Sequence, residues 1–496
     1  MEHPPSRKRD RAWYARLRRL SPSTQHTGDR GSGRSSLRPG SAQRGGCYGV
    51  ETFPPTRTLA GMLRNRRSKM SLSVFTLALT VLASGTLGTA RLAATEPAPW
   101  EAGAFAADPS ALLQAAAQVT AGDGDSSVVV LFSETRLRFE EDGRKTRVQH
   151  TVYRIVNAQA TEDWHSIQMP WFPWYQERPE LRARVISADG TVHTLDPATV
   201  TEAALVQEPS VFEDGRILRA PLPATGPGAI VEQQTTLREF APFFAQGTTD
   251  QVFLRWFVPI RHARLLIDAP EGLPLHYVFR QLPEEGLRVE VADGRRRLSY
   301  EARDLAPIGE LESHQPPDVR NFPYVALSTG ASWAAVAQGY AEIVERAVRD
   351  AGQTPEIQAF LRAVREPGAS RRAIIDRVLA RIGTDIRYTG VELGMGRIVP
   401  RPPAATLKSK FGDCKDKSVL LVALLRALDI PAEVALVSVG EDKVEIEPSL
   451  PGIGAFNHAI VVLPATADSP EIWIDPTDRY ARAGDLGAAA QGRLAL

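Results

Sequence analysis

Between residues 128 and 300 the apolar positions recur at short spacing, and the segments they mark are bounded by turn residues. Val128-Val129-Val130-Leu131-Phe132 is an unbroken apolar run, as expected of a strand covered on both faces. Thr135 to Phe139 and Arg147 to Val156 flank Asp142-Gly143; Asp189-Gly190 and Asp293-Gly294 likewise each sit between two alternating segments. Asp-Gly supplies the positive φ angles of a tight hairpin, so three such turns predict an antiparallel β-sandwich over 127–303. After residue 330 the period lengthens. Ser332, Thr354-Pro355 and Ser370 each open a stretch whose apolar residues fall on one helical face, Val336, Tyr340, Ile343 and Val344 in the first. Val419 to Leu428 is apolar at every position but Arg426, and two strand-like runs follow His458 and precede Asp475.

Around this body lie segments of other character. Residues 1–61 are rich in Arg, Ser, Gly and Pro without period, and are expected to be disordered. Met62 to Met70 is basic, Ser71 to Ala90 is uncharged, and Gly88-Thr89-Ala90 offers small residues for cleavage, the pattern of a secretory signal over 62–90. An uncleaved membrane anchor is the alternative, its 20 uncharged residues being just long enough. Translation is expected to start at Met62 or Met70, the body to be exported to the periplasm or cell envelope, and Cys47 to be absent. Residues 91–126 read as a linker with a short helix at Pro109 to Ala117, 304–330 as a Pro-rich connection, 331–480 as a second domain, and 481–496 as a loosely held, truncated tail.

Charge changes the picture by region. Residues 1–70 hold 16 of the 59 basic and 4 of the 58 acidic residues, leaving 43 basic against 54 acidic beyond them. An acidic body lacks the basic face that nucleic acid requires. The sequence has no Gly-x-Ser-x-Gly, His-Glu-x-x-His, Cys-x-x-Cys or dinucleotide loop, and Asp416 stands where a phosphate loop ending in Lys417-Ser418 would need glycine. No metal or cofactor is indicated: His150, His165, His193, His262 and His276 show neither ligand spacing nor an acidic partner pattern, and Glu441 to Glu447 reads as a solvated hairpin. Trp171-Phe172-Pro173-Trp174-Tyr175 reads as packing at a sandwich edge or domain interface, with stacking on a sugar or peptide as the alternative.

The candidate chemistry is at Cys414, which opens the apolar helix. A helix start favours a thiolate, because its first N–H groups lack intrahelical partners and its dipole is positive there. Cys414 is expected to be a free thiol, with His458 as its base and Asp475 as the carboxylate that orients the imidazole. Lys415 and Lys417 would lower the thiol pKa or simply be solvated. The backbone N–H of Cys414 is one expected oxyanion donor.

Gly412-Asp413-Cys414, Ile430-Pro431-Ala432, Asn457-His458-Ala459 and Trp473-Ile474-Asp475-Pro476-Thr477 resemble the core of the bacterial transglutaminase-like superfamily. The preceding β-rich half resembles a bacterial domain of unknown function that commonly accompanies that core in exported proteins. The resemblance implies an α+β chain, an antiparallel β-sandwich-like domain followed by a papain-like core of helices on an antiparallel sheet. It implies acyl transfer on amide bonds of a protein or peptide substrate, by hydrolysis or transamidation. It also places the segment before the cysteine loop at the substrate cleft, which makes Tyr388 a candidate oxyanion donor. The rival reading is a non-catalytic envelope protein that binds a partner through the sandwich.

Overall fold

The computed structural model describes residues 97–119, 126–206, 208, 210–309, 322–440, 446–467 and 469–496, together with the short strand Arg18–Arg19. The leader-like segment and Cys47 lie outside the described residues. So does all of 1–61 except Arg18–Arg19, which pairs with Leu494–Ala495 where the sequence leads one to expect disorder.

The amino-terminal half is built on an eight-stranded sheet. Its order is Leu287–Ala292, Arg295–Leu305, Ile260–Pro270, Val128–Phe139, Lys145–Ile155, Ile230–Arg238, Glu180–Ile186 and Val192–Thr194. All neighbours are antiparallel except Ile260–Pro270 against Val128–Phe139. The three Asp-Gly turns close hairpins as expected; at the last, Asp293 and Gly294 both have positive φ, 54° and 70°, which matches the strands' own twist. Two three-stranded sheets cover one face. Ile167, Ala220, Val252, Phe279 and Val325 from them meet Tyr153, Val185, Leu265 and Tyr300 of the large sheet in one core.

The other face is covered too. Trp100, Leu112 and Ala116 pack on Val129, Leu131, Phe132, Ile186 and Ile230, and the helix Pro109–Ala117 is where the sequence placed it. Residues 97–117 are therefore a lid on the sheet rather than a linker, which is why the run from Val128 is apolar without alternation. Tyr324–Ser328, in the stretch expected to be a connection, is the fully buried central strand of one small sheet.

In the carboxyl-terminal half, helices Trp333–Val348, Pro355–Val364 and Arg371–Asp385 start at Ser332, Thr354 and Ser370, with Ser332 and Ser370 capping Ala335 and Ala373. A further helix, Pro403–Ser409, precedes the cysteine helix. The helix Cys414–Arg426 runs through the middle, its residues from Cys414 to Leu425 all buried. One side packs on the helices and the other on the antiparallel sheet ordered Leu494–Ala495, Glu433–Val437, His458–Leu463, Ile472–Ile474. The tail is held, contrary to expectation. Leu436 and Leu496 exchange N–H···O bonds of 3.0 Å, and Ala483, Leu486, Ala490 and Ala495 are buried, so the final residues add a strand to the sheet, with Arg18–Arg19 on its outer side.

Candidate active site

The cysteine helix begins where Asp413 caps it: the Asp416 N–H donates to Asp413 Oδ1 at 3.2 Å. Lys415 bonds the other oxygen of Asp413, and Asp416 accepts from the Arg401 backbone N–H and Nε, each at 2.8 Å. Burial, reinforced by Asp416, pushes the Asp413 carboxyl up despite Lys415. Gly412 is required beside this knot, since a Cβ there would stand 2.8 Å from that of Asp416. Lys415, Asp416 and Lys417 are buried rather than solvated, because the helix is covered on every side. The Lys417 ammonium is pushed down to about 8 by burial, which the charges of Asp475 and Asp478 only partly offset.

One turn along the helix from Cys414, the Ser418 hydroxyl donates to the Ala459 carbonyl at 2.9 Å. Ala459 follows His458, and Cys414, Phe456 and Ala459 share one apolar cluster, so helix start and strand start meet. His458 Nε2 lies 2.9 Å from Asp475 Oδ2. The other oxygen of Asp475 accepts from the Thr477 N–H at 2.9 Å and its hydroxyl at 2.6 Å. Burial raises the Asp475 carboxyl, but the His458 charge and hydrogen bond and the Thr477 bonds outweigh it and hold the group below its usual range. An ionised carboxylate only accepts, so Nε2 carries a proton, and it is in the neutral ring that Nδ1 presents a lone pair. Among the described residues that buried Nδ1 has no hydrogen-bond partner.

Cys414 itself differs from expectation. Its sulfur is engaged in a disulfide and fully buried.

Tyr388 lies at the site. It pairs with Gly412 in a two-residue parallel ladder, and burial together with the carboxylates of Asp413, Glu392, Asp475 and Asp416 raises its phenol, which therefore keeps its proton as a donor. Beyond it the strand Gly390–Glu392 pairs with Val211–Glu213 of the amino-terminal half. Arg397 NH1 bonds Glu213 at 3.1 Å, reaches Glu392 at 3.4 Å, and its guanidinium stacks 4.5 Å above Phe172. Burial pushes the Glu392 carboxyl up to about 7, with Arg397 and Lys415 opposing. Phe172 and Tyr175 are buried in the cluster that contains Cys414, so the aromatic run is interdomain packing.

Sequence reasoning does not pick out these residues, since 184 positions separate Arg397 from Glu213 and no local pattern marks the pair. Other long-range partners correct the reading of single residues. His150 bonds Glu232 at 2.9 Å and His262 lies between Glu101 and Glu301, so these histidines do have acidic partners. Glu447 is buried against Arg280 and Tyr324 rather than solvated, while 441–445 lie outside the described residues. Among the described residues no group of three or more His, Cys, Asp or Glu is placed to hold a metal.

Residues 358–473 match the transglutaminase-like superfamily, and residues 141–309 match a domain of unknown function, DUF3857. The second domain is transglutaminase-like. A crystal structure of a "putative protease" from Parabacteroides distasonis has the same fold, with a TM-score of 0.56 at 16% identity over 71% of this chain and 70% of that one. A zinc metallopeptidase of the M1 class from Deinococcus radiodurans is far more distant, with a TM-score of 0.22 at 9% identity over 42% of this chain and 43% of that one. No curated protein matches the chain significantly. The transglutaminase-like domain supports a general thiol-type acyl-transfer role.

Proposed function

We propose that the chain is a cell-envelope enzyme that cleaves or exchanges amide bonds of proteins or peptides through Cys414, His458 and Asp475. The observation that carries this is His458: Nε2 is fixed on Asp475 while the buried Nδ1 has no partner among the described residues, one residue from where the cysteine helix touches the strand. In the reduced protein Nδ1 takes the Cys414 proton and the thiolate attacks the amide carbonyl. A C–S bond forms, the C–N bond breaks, and the leaving amine takes the proton back from His458, giving a thioester. Water or a second amine then gives a proton to Nδ1 as it attacks the thioester carbon, the C–S bond breaks, and the departing thiolate takes that proton back. Asp475 holds the imidazole tautomer and offsets its charge when protonated. The proton-retaining phenol of Tyr388 and the N–H groups of the helix start are the proposed donors to the tetrahedral oxyanion.

One observation favours the rival reading of a scaffold without chemistry, the engaged sulfur of Cys414. Intact-mass detection of a Cys414 adduct with a peptide-like acylating probe decides between them. The reduced protein is expected to acylate and His458→Ala to lose the reaction; equal adduct formation, or none in either, would leave the scaffold.

A further inference from the structure

The paired strands Val211–Glu213 and Gly390–Glu392 are built inside out. Register sets Phe212 beside Val391 and Glu213 beside Glu392. Side chains alternate along a strand, so the two carboxylates share one face and the two apolar residues the other, with Leu393 next in line. The charged face is the buried one: Glu213, Glu392 and Arg397 have side chains 5%, 5% and 7% exposed, and two carboxylates share one guanidinium. Glu213 Oε1 is left without a partner among the described residues. The apolar face is in water, with Phe212 56%, Leu393 55% and Met395 55% exposed. Folding gains nothing from exposing these side chains and burying three charges under them, and local rules broken together in this way mark a functional surface.

The position of the face says what covers it. Tyr388 pairs with Gly412, two residues before Cys414, and Val391 and Leu393 lie three and five residues further along. At about 3.3 Å per residue that is at most about 10 Å and about 17 Å, the reach of three to five residues of an extended substrate peptide. The charge of Lys415, next to Cys414, is felt at Glu392 on the underside of the same pair. Asp214 accepts from the Gly394 N–H at 2.8 Å and so holds the two halves of the lip together.

Taking the acyl-transfer reading of Cys414 as its basis, we propose that Phe212, Leu393 and Met395 form a substrate subsite. On this proposal the amino-terminal domain supplies one wall of the cleft, and the substrate class is a peptide carrying a bulky apolar side chain within five residues of the attacked carbonyl. Phe212 and Leu393 are specificity residues that touch that side chain.

The test uses the full chain, reduced, and two peptide acylating probes that differ only in carrying Leu or Ser at the third residue from the reactive carbonyl. The readout is the ratio of Cys414 acylation rates, which cancels any general loss of competence. Wild type is expected to prefer the Leu probe by about tenfold, the scale of an apolar side chain in a pocket. Phe212→Ser and Leu393→Ser are each expected to bring the ratio toward one, and Val291→Ser, 53% exposed on a distant sheet edge, to leave it unchanged. A wild-type ratio of one, or ratios unmoved in both lip variants, would overturn the subsite while leaving the acyl-transfer reading in place. Self-association that Phe212→Ser abolishes without moving the ratio would give the face to a second copy and equally overturn it. No acylation by either probe would overturn the acyl-transfer reading, and the subsite with it.

Discussion

Replacing Lys417 by methionine is expected to stabilise the protein at neutral pH while slowing its acylation. The side chain is 2% exposed, and its ammonium is held down from the ordinary 10.5 to about 8 by burial, with Asp475 and Asp478 the opposing charges. Below pH 8 the group is charged in both folded and unfolded chains, and the burial penalty is fully present. Between 8 and 10.5 the unfolded chain binds a proton that the folded chain does not, so wild-type stability rises with pH across that window, and above it both states are neutral. At about 1.36 kcal/mol per pH unit the penalty is about 3 kcal/mol. Methionine has a similar volume and no charge, and so escapes the penalty at every pH. Urea unfolding of both proteins followed by circular dichroism at several pH values between about 7 and 10.5 reads the difference, in which the other titrating groups cancel. The variant is expected to be ahead by roughly 3 kcal/mol at about pH 7 and to lose that lead by pH 10.5. A gap that stays flat across the window would refute the reasoning. Acylation is expected to fall because Asp475 loses a nearby cation; a destabilising charge kept beside the carboxylate proposed to orient His458 fits the common exchange of stability for activity.

Asp475→Asn keeps a partner for His458 but can present its amide N–H to Nε2 and so stabilise the wrong tautomer; probe acylation is expected to drop by about three to four orders of magnitude with the circular dichroism spectrum unchanged. Because the Asp475 carboxyl lies below its usual range, the stability it contributes is present above the unfolded value of about 4 and is lost as pH falls through the folded one. Wild type is therefore expected to lose more stability than Asp475→Asn on acidification, checked by thermal unfolding between about pH 6 and the acid limit of the fold. Iodoacetamide labelling of Cys414 is expected to require a reductant, with intact mass before and after reduction as the readout. Arg280→Ala removes the bidentate partner of the buried Glu447 carboxylate, leaving it Tyr324, and is expected to cost about 3 kcal/mol in urea unfolding.

What can be read in the sequence is whatever a few consecutive residues decide. Asp-Gly forces a positive φ, serine before an amphipathic run caps a helix, and the hairpins and helix starts follow from those local demands. Cys414, His458 and Asp475 are legible for a similar reason, since each stands at the end of an element that its own neighbours define. Whatever depends on a partner far along the chain is not legible. The tail reads as loose because its strand partner is Val437, 58 positions before Ala495; residues 97–117 read as a linker because the sheet face they cover is assembled from four separate strands. Lys415 and Lys417 leave a solvated position open beside a role at the thiol because a charged residue is normally outside, and only the surrounding helices and sheet put them inside.

The same division explains why the candidate chemistry is read from the second half of the chain and not from the first. A thiol, an imidazole and a carboxylate are rare enough in combination to be noticed one by one. The contribution inferred for the amino-terminal domain rests on three residues, Phe212, Glu213 and Asp214, that are ordinary until register pairs them with Gly390 to Gly394. Glu213 then becomes a buried acid across from Glu392, and Phe212 an exposed ring beside Val391. Shifting Val211–Glu213 by one residue would turn Phe212 inward onto Arg397 and Glu213 toward water, leaving one buried carboxylate to one guanidinium, a more comfortable arrangement for folding alone. Asp214, by gripping the Gly394 N–H, opposes the slip. The less comfortable register is the one that sets an apolar lip within a few peptide residues of Cys414, and that is the reason to look for substrate recognition there.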